Sequence, residues 1–140
     1  MPTPLAETSH VLLVGYGRVG KILAAGLARQ GVPLVVIEQD AEKATAAAQD
    51  GHEIVRGNAV EQRVLDAAGL ERATRLLIAV PEGFEGGAIA QKARFRRPDI
   101  RIIARAHSDD EVAHLSRLGA DDIVMGEREL AARMLTLAAG

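Results

Sequence analysis

VLLVGYGRVGKILAAGL, residues 11–27, joins an apolar run to a helical pattern through a glycine-rich turn, Gly15-Tyr16-Gly17-Arg18-Val19-Gly20. Each glycine has a physical task in such a turn. Gly15 permits the tight bend, Gly17 lets the backbone approach a phosphate, and Gly20 lets the helix pack closely on the strand. The N–H groups and dipole at the start of the helix favour a phosphate's negative charge. The segment therefore predicts a strand, a turn that holds the diphosphate of a nucleotide, and a helix.

Length and composition limit what the rest of the chain can be. A chain of 140 residues can form one domain with a sizeable core, and with only 2% aromatic residues that core must consist of Val, Ile, Leu and Ala. The absence of cysteine excludes disulfides, thiolate metal sites and a cysteine nucleophile, and fits a cytosolic location. A net charge of −2 without a basic stripe argues against nucleic acid as a partner. No apolar run approaches the ~20 residues of a membrane span.

Short β-rich runs alternate with helical patterns along the whole chain, which is typical of a parallel sheet covered on both faces. The predicted strands are His10–Val14, Leu34–Glu38, Glu53–Arg56, Arg75–Val80, Ile100–Ala104 and Asp122–Met125. We expect a Rossmann-like α/β fold: a doubly wound parallel six-stranded sheet in the order 3-2-1-4-5-6, with helices on both faces. Its ligand crevice should lie outside the carboxyl ends of strands one and four.

Capping residues and stop signals delimit six predicted helices. They are Arg18–Gln30; Ala41–Gln49 after the cap Asp40; one from Asn58, with Glu61 in a capping box; one from Gly86 to Arg96; one from the capping box Ser108-Asp109-Asp110-Glu111 to Gly119; and Glu127–Ala138. Residues 1–9, rich in Thr and Pro, are expected to be a linker or to mark a cut at a domain boundary, and residues 10–140 the nucleotide-binding domain. A longer membrane protein is therefore expected.

Glu38 ends the second strand, eighteen residues after Gly20, with Gln39 beside it. A carboxylate there can accept two hydrogen bonds from the cis-diol of an adenosine ribose, and it would repel a 2′-phosphate. NAD or a simple adenine nucleotide is therefore favoured over NADP. The alternative is a solvated acid at a strand end. Asp40 is explained as a helix cap.

Other residues follow the strands at the same edge. Arg18 is either a phosphate ligand or a solvated arginine, and Asn58 is either a helix cap or a contact for the adenine edge. From their position alone, Ala79, Val80 and Pro81, which close the fourth strand, are expected to form an apolar wall beside the nucleotide. The predicted nucleotide-binding residues are Gly15, Tyr16, Gly17, Arg18, Val19, Gly20, Glu38, Gln39, Asn58, Ala59, Ala79, Val80 and Arg105.

No catalytic or metal-binding residue is predicted. Arg105 and His107 follow the fifth strand, but the sequence assigns them neither a nucleophile nor a partnered carboxylate. His10, His52 and His114 lack the spacing of metal ligands.

Five segments together resemble an RCK domain of the TrkA-N type, and most of all the C-terminal cytoplasmic domain of Kef-type cation/proton antiporters of bacteria. The segments are Gly15-Tyr16-Gly17-Arg18-Val19-Gly20, Val35-Val36-Ile37-Glu38, Gly57-Asn58-Ala59, Ile102-Ile103-Ala104-Arg105-Ala106-His107 and Val124-Met125-Gly126-Glu127-Arg128-Glu129. The resemblance covers roughly residues 10–138. One departure is Asn58, where relatives often have Asp. A neutral side chain there still makes hydrogen bonds but removes one negative charge near the ligand.

The resemblance implies a sensor without catalysis. Such a domain binds NAD(H) or an adenine nucleotide (AMP, ADP or ATP) and signals to a membrane-embedded transporter domain of the same longer chain. It works at the cytoplasmic face of the inner membrane, as a homodimer or larger assembly formed through outer helices and the last helix. We expect Glu127, Arg128 and the face formed by Leu130, Met134 and Leu137 to carry the signal, unless this face packs on the chain's own sheet.

Two other functions are compatible with the sequence. The chain can be the cofactor-binding half of an NAD-dependent oxidoreductase, although no catalytic acid–base set accompanies the complete six-strand pattern. It can also be a structural module whose glycine turn binds nothing.

Overall fold

The structure, a computed structural model, describes residues 9–140, so residues 1–8 of the predicted leader lie outside the described residues. Within the described range the chain alternates strands with helices. In chain order these are β1 (His10–Val14), α1 (Arg18–Arg29), β2 (Leu34–Glu38), α2 (Ala41–Gln49), β3 (Glu53–Arg56), α3 (Gln62–Ala67), a 3-10 helix (Leu70–Arg72), β4 (Ala73–Ile78), α4 (Gly83–Arg96), β5 (Arg101–Ala106), α5 (Asp109–Arg117), β6 (Asp122–Met125) and α6 (Gly126–Ala139). None of the helices in residues 9–140 has both the length and the apolar character needed to span a bilayer.

The strands form one six-stranded sheet in the order β3-β2-β1-β4-β5-β6. Every neighbouring pair is parallel, and at the centre Leu13 of β1 lies opposite Val36 of β2 and Leu77 of β4. The predicted fold class and strand order are confirmed.

Side chains of the central strand alternate between two apolar cores. Leu12 and Val14 belong to the larger core, which β1 shares with residues of α3, α4 and α5. Leu13 belongs to the smaller core, with Ala24 of α1 and Ala47 of α2. All five residues of β1 are buried. The centre of the sheet is therefore covered on both faces, with β1 between the two cores.

Two strands are shifted from their predicted positions. β4 begins at Ala73, two residues before the predicted start at Arg75. The 3-10 helix ends at Arg72, so Ala73 directly follows it and pairs with His10. β5 extends to Ala106, because Arg105 and Ala106 continue the ladder opposite β6. The other four strands are as predicted.

Two helix starts were predicted wrongly. α3 begins at Gln62 and not at Asn58, because the Asn58 side chain accepts a hydrogen bond from the Val60 N–H (3.0 Å) and forms a turn. α4 begins at Gly83 and not at Gly86, with the Glu82 carboxylate capping its first turn. Glycines lower helix propensity, but those of α4 lie where the helix meets its neighbours. A Cβ on Gly87 would lie 2.4 Å from the His114 ring.

Candidate functional site

A crevice lies at the carboxyl ends of β1, β2, β3 and β4, as the strand order predicts. It encloses a cavity of about 450 Å³, within the size range of small-molecule sites. Its lining residues come from the end of β1 and the glycine turn, the ends of β2 and β3, the first turn of α2, the segment after β4, and α4. They are Val14, Gly15, Gly17, Ile37, Glu38, Gln39, Asp40, Ala41, Lys43, Gly57, Asn58, Ala59, Val80, Pro81, Glu85 and Ile89.

The three glycines of the turn meet different surroundings. Gly15 has a φ of +104°, in the region that favours glycine, and a Cβ there would lie 3.1 Å from the Ala79 carbonyl carbon. A Cβ on Gly20 would lie 1.9 Å from the Gly15 carbonyl oxygen. A Cβ on Gly17 would have no atom within 4 Å. Packing inside the protein therefore requires Gly15 and Gly20, whereas the space beside Gly17 is open to a ligand.

Glu38 is held in place at both carboxylate oxygens. Its Oε1 accepts a hydrogen bond from the Tyr16 N–H, and its Oε2 accepts one from the Asp40 N–H, both at 2.8 Å. Asp40 in turn caps α2, its Oδ2 accepting the Lys43 N–H at 3.0 Å. Each oxygen of Glu38 retains acceptor capacity for a hydroxyl group. The carboxylate is thus fixed in orientation at the floor of the crevice.

Seven of the predicted site residues line this crevice: Gly15, Gly17, Glu38, Gln39, Asn58, Ala59 and Val80. Tyr16 and Gly20 are buried behind the turn. Arg18, the first residue of α1, is exposed and outside the lining, so its contact with a phosphate remains a prediction.

Lys43 and Glu85 line the crevice but were not predicted. The signal for Lys43 is its position three residues after the Asp40 cap, which places it in the first turn of α2 beside Glu38. Glu85 was missed because the start of α4 was placed one residue after it. The crevice therefore combines the carboxylates of Glu38, Asp40 and Glu85 with the ammonium of Lys43.

Arg105 and His107 form a separate polar cluster with Glu111. An N–H of Arg105 lies 2.9 Å from His107 Nε2, and His107 Nδ1 lies 3.4 Å from Glu111 Oε1. Glu111 is nearly buried and accepts hydrogen bonds from the N–H groups of His107 (2.6 Å) and Gly83 (3.2 Å). These bonds hold the pKa of the Glu111 carboxyl below its usual value, chiefly through the His107 N–H. The Glu111 carboxylate therefore joins the starts of α4 and α5.

This cluster also corrects the predicted capping box of α5. Ser108 Oγ does accept the Glu111 N–H at 3.1 Å, but the Glu111 carboxylate bonds to His107 and not to Ser108. Within residues 9–140, the structure brings together no group of three or more acidic or histidine side chains suited to a metal ion.

A second cavity, an apolar groove of about 170 Å³, lies between α1 and the β4–β6 half of the sheet. Its lining includes the remaining predicted site residues, Val19, Ala79 and Arg105, and also Leu23, Leu77, Ile78, Ile103, Ala104 and Val124. We call this cavity the apolar groove below.

α6 has no buried residue, and its apolar face is open. Leu130, Met134 and Leu137 are each more than 60% exposed. The expectation that this face packs on the chain's own sheet is therefore wrong. α6 contacts α5 through an ion pair between Arg128 and Asp109.

A family model described as the TrkA-N domain matches residues 11–126 of the chain. Among curated proteins, YbaL of Escherichia coli (strain K12), whose name places it with the cation/proton antiporters, is 46% identical over 134 residues. These residues are 96% of this chain and 24% of YbaL. The glutathione-regulated potassium-efflux system protein KefC of Cronobacter sakazakii is 29% identical over 123 residues, which are 88% of this chain and 19% of KefC. The chain thus spans a quarter or less of the length of these relatives.

Solved structures show the same fold. The TrkA-N domain of the inner membrane protein YbaL of Escherichia coli superposes with a TM-score of 0.88 at 47% identity, covering 92% of this chain and 96% of that one. The Kef CTD of Shewanella denitrificans in its AMP-bound form gives a TM-score of 0.79 at 26% identity, covering 94% of this chain and 82% of that one. The GsuK channel bound to NAD gives 0.77 at 28% identity, covering 93% of this chain and 23% of that one.

Proposed function

Because the chain belongs to the TrkA-N domain family, we propose that it is the regulatory domain of a bacterial cation (potassium)/proton antiporter. In this proposal the domain binds NAD(H) or an adenine nucleotide in the crevice and gates transport without catalysis. Membership of the family and likeness to Kef-type antiporters confirm the resemblance described above.

The observation that carries the proposal is the arrangement around Glu38. The carboxylate is fixed by two backbone N–H groups and shares one cavity with the open position beside Gly17. A ribose diol on Glu38 would place the attached phosphates toward the glycine turn, where N–H groups and the dipole of α1 favour negative charge. The AMP-bound form of the Kef CTD and the NAD-bound form of the GsuK channel support this ligand class. A 2′-phosphate would meet the Glu38 carboxylate, so NADP should bind weakly.

Gating needs only that the nucleotide bind two arrangements of the domain with different affinity. A coupling of about 1–3 kcal/mol gives a several-fold to hundredfold effect on transport. The Arg105, His107 and Glu111 cluster lies outside the crevice lining, which supports a sensor over the oxidoreductase alternative. Nicotinamide turnover by the full-length protein would favour that alternative.

The transporter domain belongs, in this proposal, to the same longer chain. The chain matches only 24% of YbaL and 19% of KefC, which leaves most of such a protein for the membrane part. The regulatory domain would then lie at the cytoplasmic face of the inner membrane.

We further propose that the domain works as a homodimer in which α6 of one copy covers the apolar groove of the other. The support is self-complementarity. The chain carries both complementary surfaces: α6 exposes three large apolar side chains, and the groove is lined mainly by apolar side chains. Burying both in a two-fold arrangement would remove exposed apolar surface from water.

The ligand proposal is tested by the thermal stability of the purified chain with AMP, ADP, ATP, NAD, NADH and NADP. A ligand at about 100 times its dissociation constant adds about 2.7 kcal/mol of stability, and this raises the melting temperature by several degrees. We expect a rise with the ligands that lack a 2′-phosphate and little or none with NADP.

Glu38→Ala should abolish this rise. Glu53→Ala is the matched control, because Glu53 is also an acid in a strand, but it is exposed and outside the crevice lining. Absence of a rise with every nucleotide, for a chain shown to be nucleotide-free, would contradict the ligand proposal and favour the structural module.

A further inference from the structure

Tyr16 contacts the rest of the molecule at both of its ends. Its backbone N–H donates to Glu38 Oε1 at 2.8 Å. Its side chain points away from the crevice into the smaller apolar core and is 4% exposed. There the hydroxyl donates to Asp50 Oδ2 at 2.5 Å. One residue thus joins the Glu38 carboxylate of the crevice to a second carboxylate at the far end of α2.

The contacts of Tyr16 attach the glycine turn to α2 at both ends of that helix. At the N-terminus of α2, Glu38 accepts N–H groups from Tyr16 and from the cap, Asp40. At the C-terminus, the cap residue Asp50 accepts the Tyr16 hydroxyl. A turn held at one end only could rotate relative to α2, and the distance between Gly17 and Glu38 would then vary.

The hydroxyl group is not needed for packing. The Tyr16 ring is already held by the apolar core and by the edge of the His52 ring, with ring centroids 5.7 Å apart. A phenylalanine ring would fill the same volume and lose only the bond to Asp50. Burial, followed by the hydrogen bond and charge of Asp50, raises the pKa of the Tyr16 hydroxyl far above its usual value, so the proton stays on the tyrosine.

We propose that Tyr16 and Asp50 form a positioning pair for the nucleotide site, fixing the glycine turn relative to Glu38 so that one nucleotide contacts both. The pair acts through Glu38 and Gly17 and touches no ligand itself. The inference rests on the proposed function, since it concerns the same crevice.

A double-mutant cycle on the 140-residue chain tests the pair, with AMP and NAD as the probes and the dissociation constant measured by calorimetry. We expect Tyr16→Phe and Asp50→Ala each to raise the dissociation constant for AMP by about fivefold, the lower end of couplings between linked sites. The double variant should show no further loss, because each change removes the same bond. Asp50→Asn retains an acceptor for the hydroxyl and should restore affinity to within about twofold of the wild type.

Two controls are needed. One separates an effect on the nucleotide site from an effect on folding stability, and the other tests the ion pair between Lys21 and Asp50. Urea denaturation without nucleotide measures what each variant does to folding alone. Lys21→Ala removes the other contact of Asp50, its ion pair at 4.0 Å, and should leave AMP affinity unchanged. Asp50 is exposed, so Asp50→Ala should fold even if Tyr16→Phe does not.

The outcomes are distinguishable. If the wild type binds AMP or NAD and Tyr16→Phe binds as tightly, the pair is only structural and the inference is overturned while the proposed function stands. Loss of affinity in Asp50→Asn equal to that in Asp50→Ala would also overturn it, because charge and not the bond would then matter. If the wild type binds neither nucleotide, the proposed function itself fails and the inference fails with it.

Discussion

The two halves of the sheet differ in how completely they are covered by their own chain. Around β1, β2 and β3, helices fill both faces, and the strand ends enclose a polar cavity with a fixed carboxylate. Around β4, β5 and β6, α4 and α5 cover one face, whereas the other carries an apolar groove that stays partly open. The first half has the features of a small-molecule site made by one chain. The half around β4, β5 and β6 exposes apolar surface that another protein surface could bury.

The largest effect should come from the glycine turn of the first half. Gly20→Ala would place a Cβ 1.9 Å from the Gly15 carbonyl oxygen, and backbone cannot move aside as a flexible side chain can. We expect a loss of about 3 kcal/mol or more in the free energy of unfolding, measured with urea.

Gly17→Ala is the matched control in the same turn, because its added methyl group meets no atom within 4 Å. Stability should change by less than about 1 kcal/mol, while AMP affinity falls because the methyl group occupies the space beside the phosphates. Equal destabilisation by the two substitutions would contradict the division between packing glycines and the ligand glycine.

A change in the second half should act on assembly and leave the crevice intact. Leu130→Glu combined with Met134→Glu places two charges on the exposed face of α6. If this face meets a second copy, the dimer dissociation constant should rise about a hundredfold or more, since buried unpaired charges are costly. Light scattering coupled to size-exclusion chromatography measures the state of assembly.

Ala132→Glu is the control, because residue 132 lies about 200° around the helix from Leu130. It is exposed and should leave the dimer intact. A wild-type chain that is monomeric at high micromolar concentration would contradict the dimer proposal directly.

The smallest effect concerns Glu111, which joins α4 to α5 on the covered face of the second half. Since the folded-state pKa of Glu111 is lowered, its stabilising effect is complete above its unfolded-state pKa and is lost as the pH falls through the folded-state value. Glu111→Gln should lower the free energy of unfolding at pH 7 by about 1–2 kcal/mol. The difference from the wild type should shrink as the pH falls below about 4.

Urea titrations between pH 7 and pH 3 measure this effect. Asp110→Asn serves as the control, since Asp110 is exposed and adjacent in the first turn of α5. A constant difference between wild type and Glu111→Gln at all pH values would show that packing, and not charge, is what Glu111 contributes.

The sequence predicted the parts of the fold that depend on local patterns. The apolar run Val11–Val14, glycines at the ends of helices and Glu38 at a strand end are local signals. Together with the alternation of β-rich runs and helical patterns, they give the strand order and the floor of the crevice. The start of α4 was placed three residues late, because Gly83 has a low helix propensity. A Cβ on Gly83 would lie 2.6 Å from the Glu111 carboxyl group, and this long-range contact, which favours a glycine, is invisible to propensity.

Long-range contacts account for most of what sequence could not predict at the site. The Tyr16 hydroxyl meets Asp50, 34 residues away, and Gly83 meets Glu111, 28 residues away. Neither pair has a spacing that a helix or a strand would reveal. The open face of α6 was ambiguous for the same reason, since amphipathic spacing indicates an apolar face but not which surface covers it.

The position of β1 between two cores also limits how this sequence can change over generations. Leu12 and Leu13 face opposite cores, so the loss or gain of one residue in β1 would turn every following side chain of the strand toward the wrong core. The same slip would move Gly15 away from Ala79, where its positive φ and the 3.1 Å approach of the Ala79 carbonyl carbon require a glycine. Lineages carrying this domain should therefore lose the protein when such a change falls in β1, and tolerate it in residues 138–140, which are exposed and lie beyond the apolar face of α6.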